Sequence, residues 1–211
     1  MSRSATTLLV AAAGVVAALI GGPAAAQAAP ATGSTVITVD DGPTSLTITT
    51  DKPMSKQRVD LLKAQLKAGV RDTTGNAAPR PGAAAPNPPV ISCREGVRFF
   101  TDTKGTASFR FNCKYNNINW GFKFAPKLQS IAAGPVDESG AVWYRNGRYA
   151  GKNAAHSGAR AQPAWYHFHG TFPNILKGDR VSWLDTYTFK CNVGARCKAV
   201  LKVGGTFVVK K

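Results

Sequence analysis

Val181-Ser182-Trp183-Leu184-Asp185-Thr186-Tyr187-Thr188-Phe189-Lys190-Cys191-Asn192-Val193-Gly194-Ala195-Arg196-Cys197 is the stretch whose reading decides the fold. Val181, Trp183, Tyr187, Phe189 and Cys191 recur at every second position, with Ser182, Thr186, Thr188 and Lys190 between them. That period of two belongs to a strand with one buried face. Leu184 and Asp185 interrupt it. A Cys191–Cys197 disulfide across a five-residue tip predicts a hairpin whose register sets Phe189 opposite Ala199, Tyr187 opposite Leu201 and Lys190 opposite Lys198. Like charges directly opposite repel, so Lys190, Lys198 and nearby Lys202 predict a wet basic face with threonines between the lysines. Lysines of this kind serve either to protect a sheet edge or to hold an anion.

The same pattern continues outward from this hairpin. Phe109, Phe111, Cys113 and Tyr115 alternate along one predicted strand, and Trp120, Phe122 and Phe124 along the next. Asn146-Gly147 predicts a hairpin turn between Val142 and Tyr149. Ala164–Phe172, Lys198–Val203 and Thr206–Val209 read as further strands, giving eight or nine in about 120 residues, the density of a β-sandwich or small barrel. Cys113, Trp120 and Cys191 stand in immunoglobulin order, but the tryptophan follows too soon and Phe189 occupies the tyrosine-corner position. The expected fold class is therefore all-β, a disulfide-stapled sandwich or small barrel.

All 19 aromatic residues lie between Phe99 and Phe207, which places a boundary near residue 90. Residues 1–28 read as a secretory signal: Arg3, an apolar run from Leu8 to Ile20, and Ala26-Gln27-Ala28, with cleavage before Ala29. Thirteen apolar residues are short of the roughly 20 that span a bilayer. Residues 29–70 predict an N-terminal arm, made of a hairpin from Ser34–Val39 and Ser45–Thr50 and an amphipathic helix from Ser55 to about Ala68. Val59, Leu62 and Leu66 form the helix's apolar stripe, and docking on its own protein is the favoured use of it. Residues 71–89 carry five prolines and read as a linker; residues 90–211 form the all-β domain.

An even number of cysteines in an exported chain implies two disulfides. Local spacing favours Cys93 with Cys113 and Cys191 with Cys197. Zinc-type paired spacings do not occur, and neither does a nucleotide-binding loop or a Gly-x-Ser-x-Gly elbow. No cofactor is expected. Among chemical side chains, His167 and His169 share one side of a strand, and with His156 or Asp185 they form a candidate metal set for a metal-dependent secreted enzyme. Asp185 stands on an otherwise apolar face, so burial there requires imidazole, arginine or a tyrosine hydroxyl as partner. Arg196 in the closed tip offers a protease-inhibitor alternative.

Charge decides between these readings. The chain carries a formal +16, and after residue 90 nineteen basic residues face six acidic ones, a net +13. Such an excess favours polyanions: wall polymers, anionic lipid, acidic polysaccharide or nucleic acid. Basic residues also alternate with aromatics at Arg98-Phe99, Phe109-Arg110-Phe111 and Phe122-Lys123-Phe124, as on single-strand nucleic-acid platforms, although an amphipathic strand has the same pattern. The expected function is a secreted, non-catalytic binding module for an anionic polymer or surface outside the cell, such as an envelope component. Its binding face is expected to comprise Lys190, Lys198, Lys202 and Arg196.

Overall fold

The structure, a computed structural model, describes residues 33–41, 44–67, 88–157 and 167–210. Residues 1–28, read as a signal, and residues 71–87 of the expected linker lie outside the described residues, as do Trp165 and Tyr166. The described residues are mostly β, in two sheets with two disulfides and no closed barrel.

Alternation, read from the sequence as interrupted at Leu184 and Asp185, runs unbroken through β12 (Arg180–Cys191), with every second side chain buried. Its partner is β13 (Cys197–Lys210). Their pairing has the register the disulfide dictates: Phe189 opposite Ala199, Tyr187 opposite Leu201, Lys190 opposite Lys198. β13 is one strand rather than two, because Gly204 and Gly205 stay in the ladder opposite Leu184 and Trp183. Glycine inside a strand marks a close approach, and here the Trp183 ring lies 5.3 Å from Phe109 of the facing sheet.

The other flank of β12 is divided. Its first half pairs with β8 (Val142–Arg145), which turns through Asn146-Gly147 into β9 (Arg148–Lys152). Asn146 and Gly147 have φ of 51° and 80°, the left-handed backbone that a two-residue hairpin requires. The second half pairs with β7 (Ala132–Glu138), beside which lies β10 (His156–Ser157). The smaller sheet has the order β11 (His167–Phe172), β6 (Asn117–Phe124), β5 (Gly105–Asn112), β4 (Val97–Thr101). Aromatic rings join the two sheets: Trp120 to Trp183, Phe122 and Phe124 to Tyr187, and Phe109 to Phe207. Asn153 ties the layers at one edge, its Oδ1 accepting from Trp120 Nε1 at 3.0 Å and Trp143 Nε1 at 2.7 Å.

The hairpin expected as an arm has the strands read from the sequence, β1 (Thr35–Asp41) and β2 (Thr44–Thr50), but it belongs to the large sheet. β2 pairs with β13 from Lys198 to Val203, and Ile37, Val39, Leu46 and Ile48 are buried. Composition suggested otherwise because four aliphatics are too few for a core of their own; they complete another one. A short strand, β3 (Val90–Ser92), runs parallel to the other end of β13. Helix α1 (Lys56–Lys67) buries Leu62 and Leu66 and docks on its own chain, with Lys127 Nζ donating to Gln65 O at 3.2 Å. The backbone N–H of Arg58 meets Ser55 Oγ at 3.4 Å, an N-terminal cap. No helix among the described residues is long and apolar enough to cross a membrane.

Two other elements differ from the sequence reading. Tyr115 is exposed in the turn after β5 rather than in line with Phe111. Helix α2 (Pro126–Ile131) and strand β7 fill the stretch between Phe124 and Val142, where the sequence reading placed no element. Pro126 opens the helix, where its missing N–H costs nothing. Ala132-Ala133-Gly134-Pro135 lies at an irregularity of the β7–β12 ladder: Ala132 pairs with Cys191 and Val136 with Phe189, and the register shifts between them.

Both disulfides join the expected partners, Cys93 with Cys113 and Cys191 with Cys197, and this pairing is not the immunoglobulin one. Sequence separations of 20 and 6 residues correspond, by loop-closure entropy, to stabilisation of about 3 and about 2 kcal/mol. The pair Cys93→Ala/Cys113→Ala is therefore expected to lower stability in urea more than Cys191→Ala/Cys197→Ala. Equal or inverted losses would contradict the account.

Candidate functional site

The outer face of the large sheet follows from the registers alone. One row across it reads Val36, Thr49, Lys198, Lys190; the next Thr38, Thr47, Val200, Thr188; the third Asp40, Ser45, Lys202, Thr186. Lys190, Lys198 and Lys202 are exposed, and none of the three has a hydrogen bond or ion pair among the described residues. Opposed residues in such a ladder have Cα atoms about 5 Å apart, while Lys198 and Lys202 stand about 13 Å apart along the strand. The result is a flat, hydroxyl-rich surface with three unneutralised ammonium groups. Its carboxylates are Asp40, on the outermost strand β1, and Asp137, on β7 directly opposite Thr188 of β12.

Arg196, expected on this face, sits at the hairpin tip instead. Its Nε lies 3.7 Å from Asp51 Oδ2, and its φ of 42° makes it part of a tight turn rather than an extended loop. The aromatic and basic alternation resolves as core inside and charge outside on β5 and β6, where Phe109, Phe111, Phe122 and Phe124 are buried and Arg110 and Lys123 exposed. β4 reverses this: Phe100 is inside and Phe99 outside.

Of the candidate metal residues, His169 and Asp185 are not brought together. His169 is exposed on the small sheet, beside a buried Phe168. Asp185 is fully buried on the inner face of the large one. His167 opens β11 opposite Lys123. No group of three His, Cys, Asp or Glu among the described residues is arranged to hold a metal ion.

Asp185 instead meets a partner that the sequence did not indicate. Glu138, from β7, is also buried and lies directly opposite Tyr187, so two carboxyl groups and a phenol share the interior. Asp185 Oδ1 accepts from the backbone N–H of Thr186 at 2.7 Å. Burial first, and the neighbouring Glu138 second, push Asp185 up to about 8, with the Tyr187 hydroxyl opposing. Burial, then Asp185, raises Tyr187 well above the ordinary phenol value. His156 closes the cluster on the solvent side, its Nδ1 against Glu138 Oε2. His156, weighed from the sequence as a third metal ligand, thus partners a carboxylate. Asp102, half-buried, is likewise raised by burial and is held by Thr44 Oγ1 and the N–H groups of Lys104 and Gly105.

The large sheet thus presents a basic, threonine-lined outer face, and between the sheets lies a carboxyl cluster closed to solvent except at His156. Compared with protein-family models, curated proteins and solved structures, the chain matches none of them.

Proposed function

We propose that this is a secreted, non-catalytic β-module that associates through Lys190, Lys198 and Lys202 with an anionic polymer or surface outside the cell. The observation that carries the reading is the direct opposition of Lys190 and Lys198 on an exposed face, neither of them ion-paired among the described residues. A bound phosphate or carboxylate relieves that repulsion, and the flanking threonine hydroxyls supply donors to the same group. A flat surface suits an extended polymer better than a small molecule, which needs a concavity. Each cation near an anionic surface contributes about 1 kcal/mol, so three acting together suffice for salt-sensitive retention.

The test is co-sedimentation of the mature protein with polygalacturonate, anionic phospholipid vesicles, duplex DNA and neutral dextran. Binding to the uronate polymer or the vesicles is expected, with Lys190→Glu/Lys198→Glu weakening it about a thousandfold by removing two attractions and adding two repulsions. Binding to DNA alone would transfer the reading to nucleic acid. Retention on dextran, or equal behaviour of the charge-reversed protein, would overturn it.

A further inference from the structure

The outer face of the small sheet is a second, independent surface. Its registers set Phe99, Ser108, Gly121 and His169 in one row across β4, β5, β6 and β11. Arg110 lies two residues to one side of that row on β5, and Lys123 two residues to the other side on β6. All six belong to the face opposite the buried Phe100, Phe109, Phe122 and Phe168.

Three features of this face point to a ligand. First, Phe99 is 62% exposed and packs on no other aromatic ring among the described residues, so an apolar ring is left in water at the middle of β4. Secondly, Arg110 and Lys123 are exposed, and neither has a side-chain hydrogen bond or ion pair among the described residues. No acidic residue stands in their rows or in the row between them. Thirdly, the hydroxyls of the face bond within it. Thr101 Oγ1 and Thr106 Oγ1 are 3.1 Å apart, Thr171 Oγ1 donates to Asn119 Oδ1 at 2.8 Å, and Ser108 Oγ donates to Gly121 O at 3.4 Å.

What the face offers is therefore one ring and two cations, and few hydroxyls for a sugar polymer to pair with. A membrane anchor needs an apolar group that reaches the acyl boundary, whereas Phe99 is level with a sheet that also carries Arg110 and Lys123. Unpaired nucleic acid fits both parts of the offer, since its bases stack on aromatic rings while cations meet its phosphates. Arg110 is diagonal to Phe99 on the neighbouring strand, about 7–8 Å away at the backbone and within reach of a long side chain. Lys123 is two strands over, about 12 Å away. We propose that this face binds single-stranded nucleic acid, with a base stacked on Phe99 and the adjoining phosphates on Arg110 and Lys123. It lies on the other sheet from Lys190 and does not depend on the lysine face.

Fluorescence anisotropy of a labelled oligothymidylate tests the proposal, with the protein carrying Lys190→Glu/Lys198→Glu so that the lysine face is out of the measurement. The oligothymidylate is expected to bind. Adding Phe99→Ala is expected to weaken it about tenfold, the usual effect of losing one base–aromatic stack, and Phe99→Trp to retain it. Arg110→Glu/Lys123→Glu is expected to lower the affinity and flatten its salt dependence. Inorganic polyphosphate, a polyanion without rings, is expected to compete weakly. Absence of binding, or a Phe99→Ala protein that binds as well as one with Phe99, would overturn the proposal. Polyphosphate competing as well as unlabelled oligothymidylate would reduce the face to a plain anion patch and overturn the nucleic-acid assignment. Retention on phosphatidylglycerol vesicles that Phe99→Ala abolishes, without oligothymidylate binding, would give the face to membranes and overturn it too. Each of these failures leaves the lysine face standing, because that reading is tested on polygalacturonate with Lys190 and Lys198 in place.

Discussion

A fragment beginning at Val90 is expected not to fold. Removing β1 and β2 takes Ile37, Val39, Leu46 and Ile48 out of the core, all of them at most 1% exposed. At about 1.5–3 kcal/mol for each buried aliphatic side chain, the loss is roughly 6–12 kcal/mol, comparable to the whole stability of a domain. It also strips β2 from β13, leaving Lys198 to Val203 as an unpaired edge. Circular dichroism and thermal melting of the fragment are expected to show no cooperative transition. A fragment melting within a few degrees of the parent would contradict the integration of the hairpin.

Stability is expected to fall as pH rises from about 4 to about 8, opposite to the usual behaviour of paired carboxylates. In the unfolded chain Asp185 ionises near 3.8, whereas in the folded chain it keeps its proton up to about 8. Below the lower value both states are protonated and above the higher one neither is. Between them the folded state binds the extra proton, so unfolding becomes easier with each rise in pH, by up to about 1.4 kcal/mol per unit. Glu138 from β7 and Tyr187 from β12 face Asp185, with His156 behind Glu138. Asp102, also raised by burial, contributes in the same direction. Asp185→Asn keeps the shape and removes the ionisation, so its stability profile is expected to be flatter and to lie above the parent's at pH 8. A parent profile that rises over this window, or one that the substitution leaves unchanged, would contradict the cluster's role.

The β12–β13 hairpin was legible because two independent signals agreed there: the alternation fixed the inner face, and the Cys191–Cys197 pair fixed the register. The long-range neighbours were not legible. Nothing local says that β2 pairs with β13, since the contact joins Leu46 to Leu201 across most of the chain. The acid cluster was half visible. Asp185 on an apolar face signalled a buried carboxyl in need of company, and Tyr187, two residues on, shares that interior with it. Glu138 was hidden because β7 is written in alanine, glycine and proline. The small sheet's outer face was legible in part. Alternation put Arg110 and Lys123 outside on β5 and β6, but Phe99 joins them only through the β4–β5 register.

The central claim is that three unneutralised lysines on the outer sheet hold an anionic polymer, and the salt dependence of that binding tests it most directly. Three cations that displace condensed counterions from a polyanion give a slope of log K against log salt of about −2 to −3. The parent protein is expected to show that slope on polygalacturonate, and Lys190→Glu/Lys198→Glu to lose most of it together with the affinity. Binding that is insensitive to salt, or a slope that the charge reversal leaves untouched, would contradict the account.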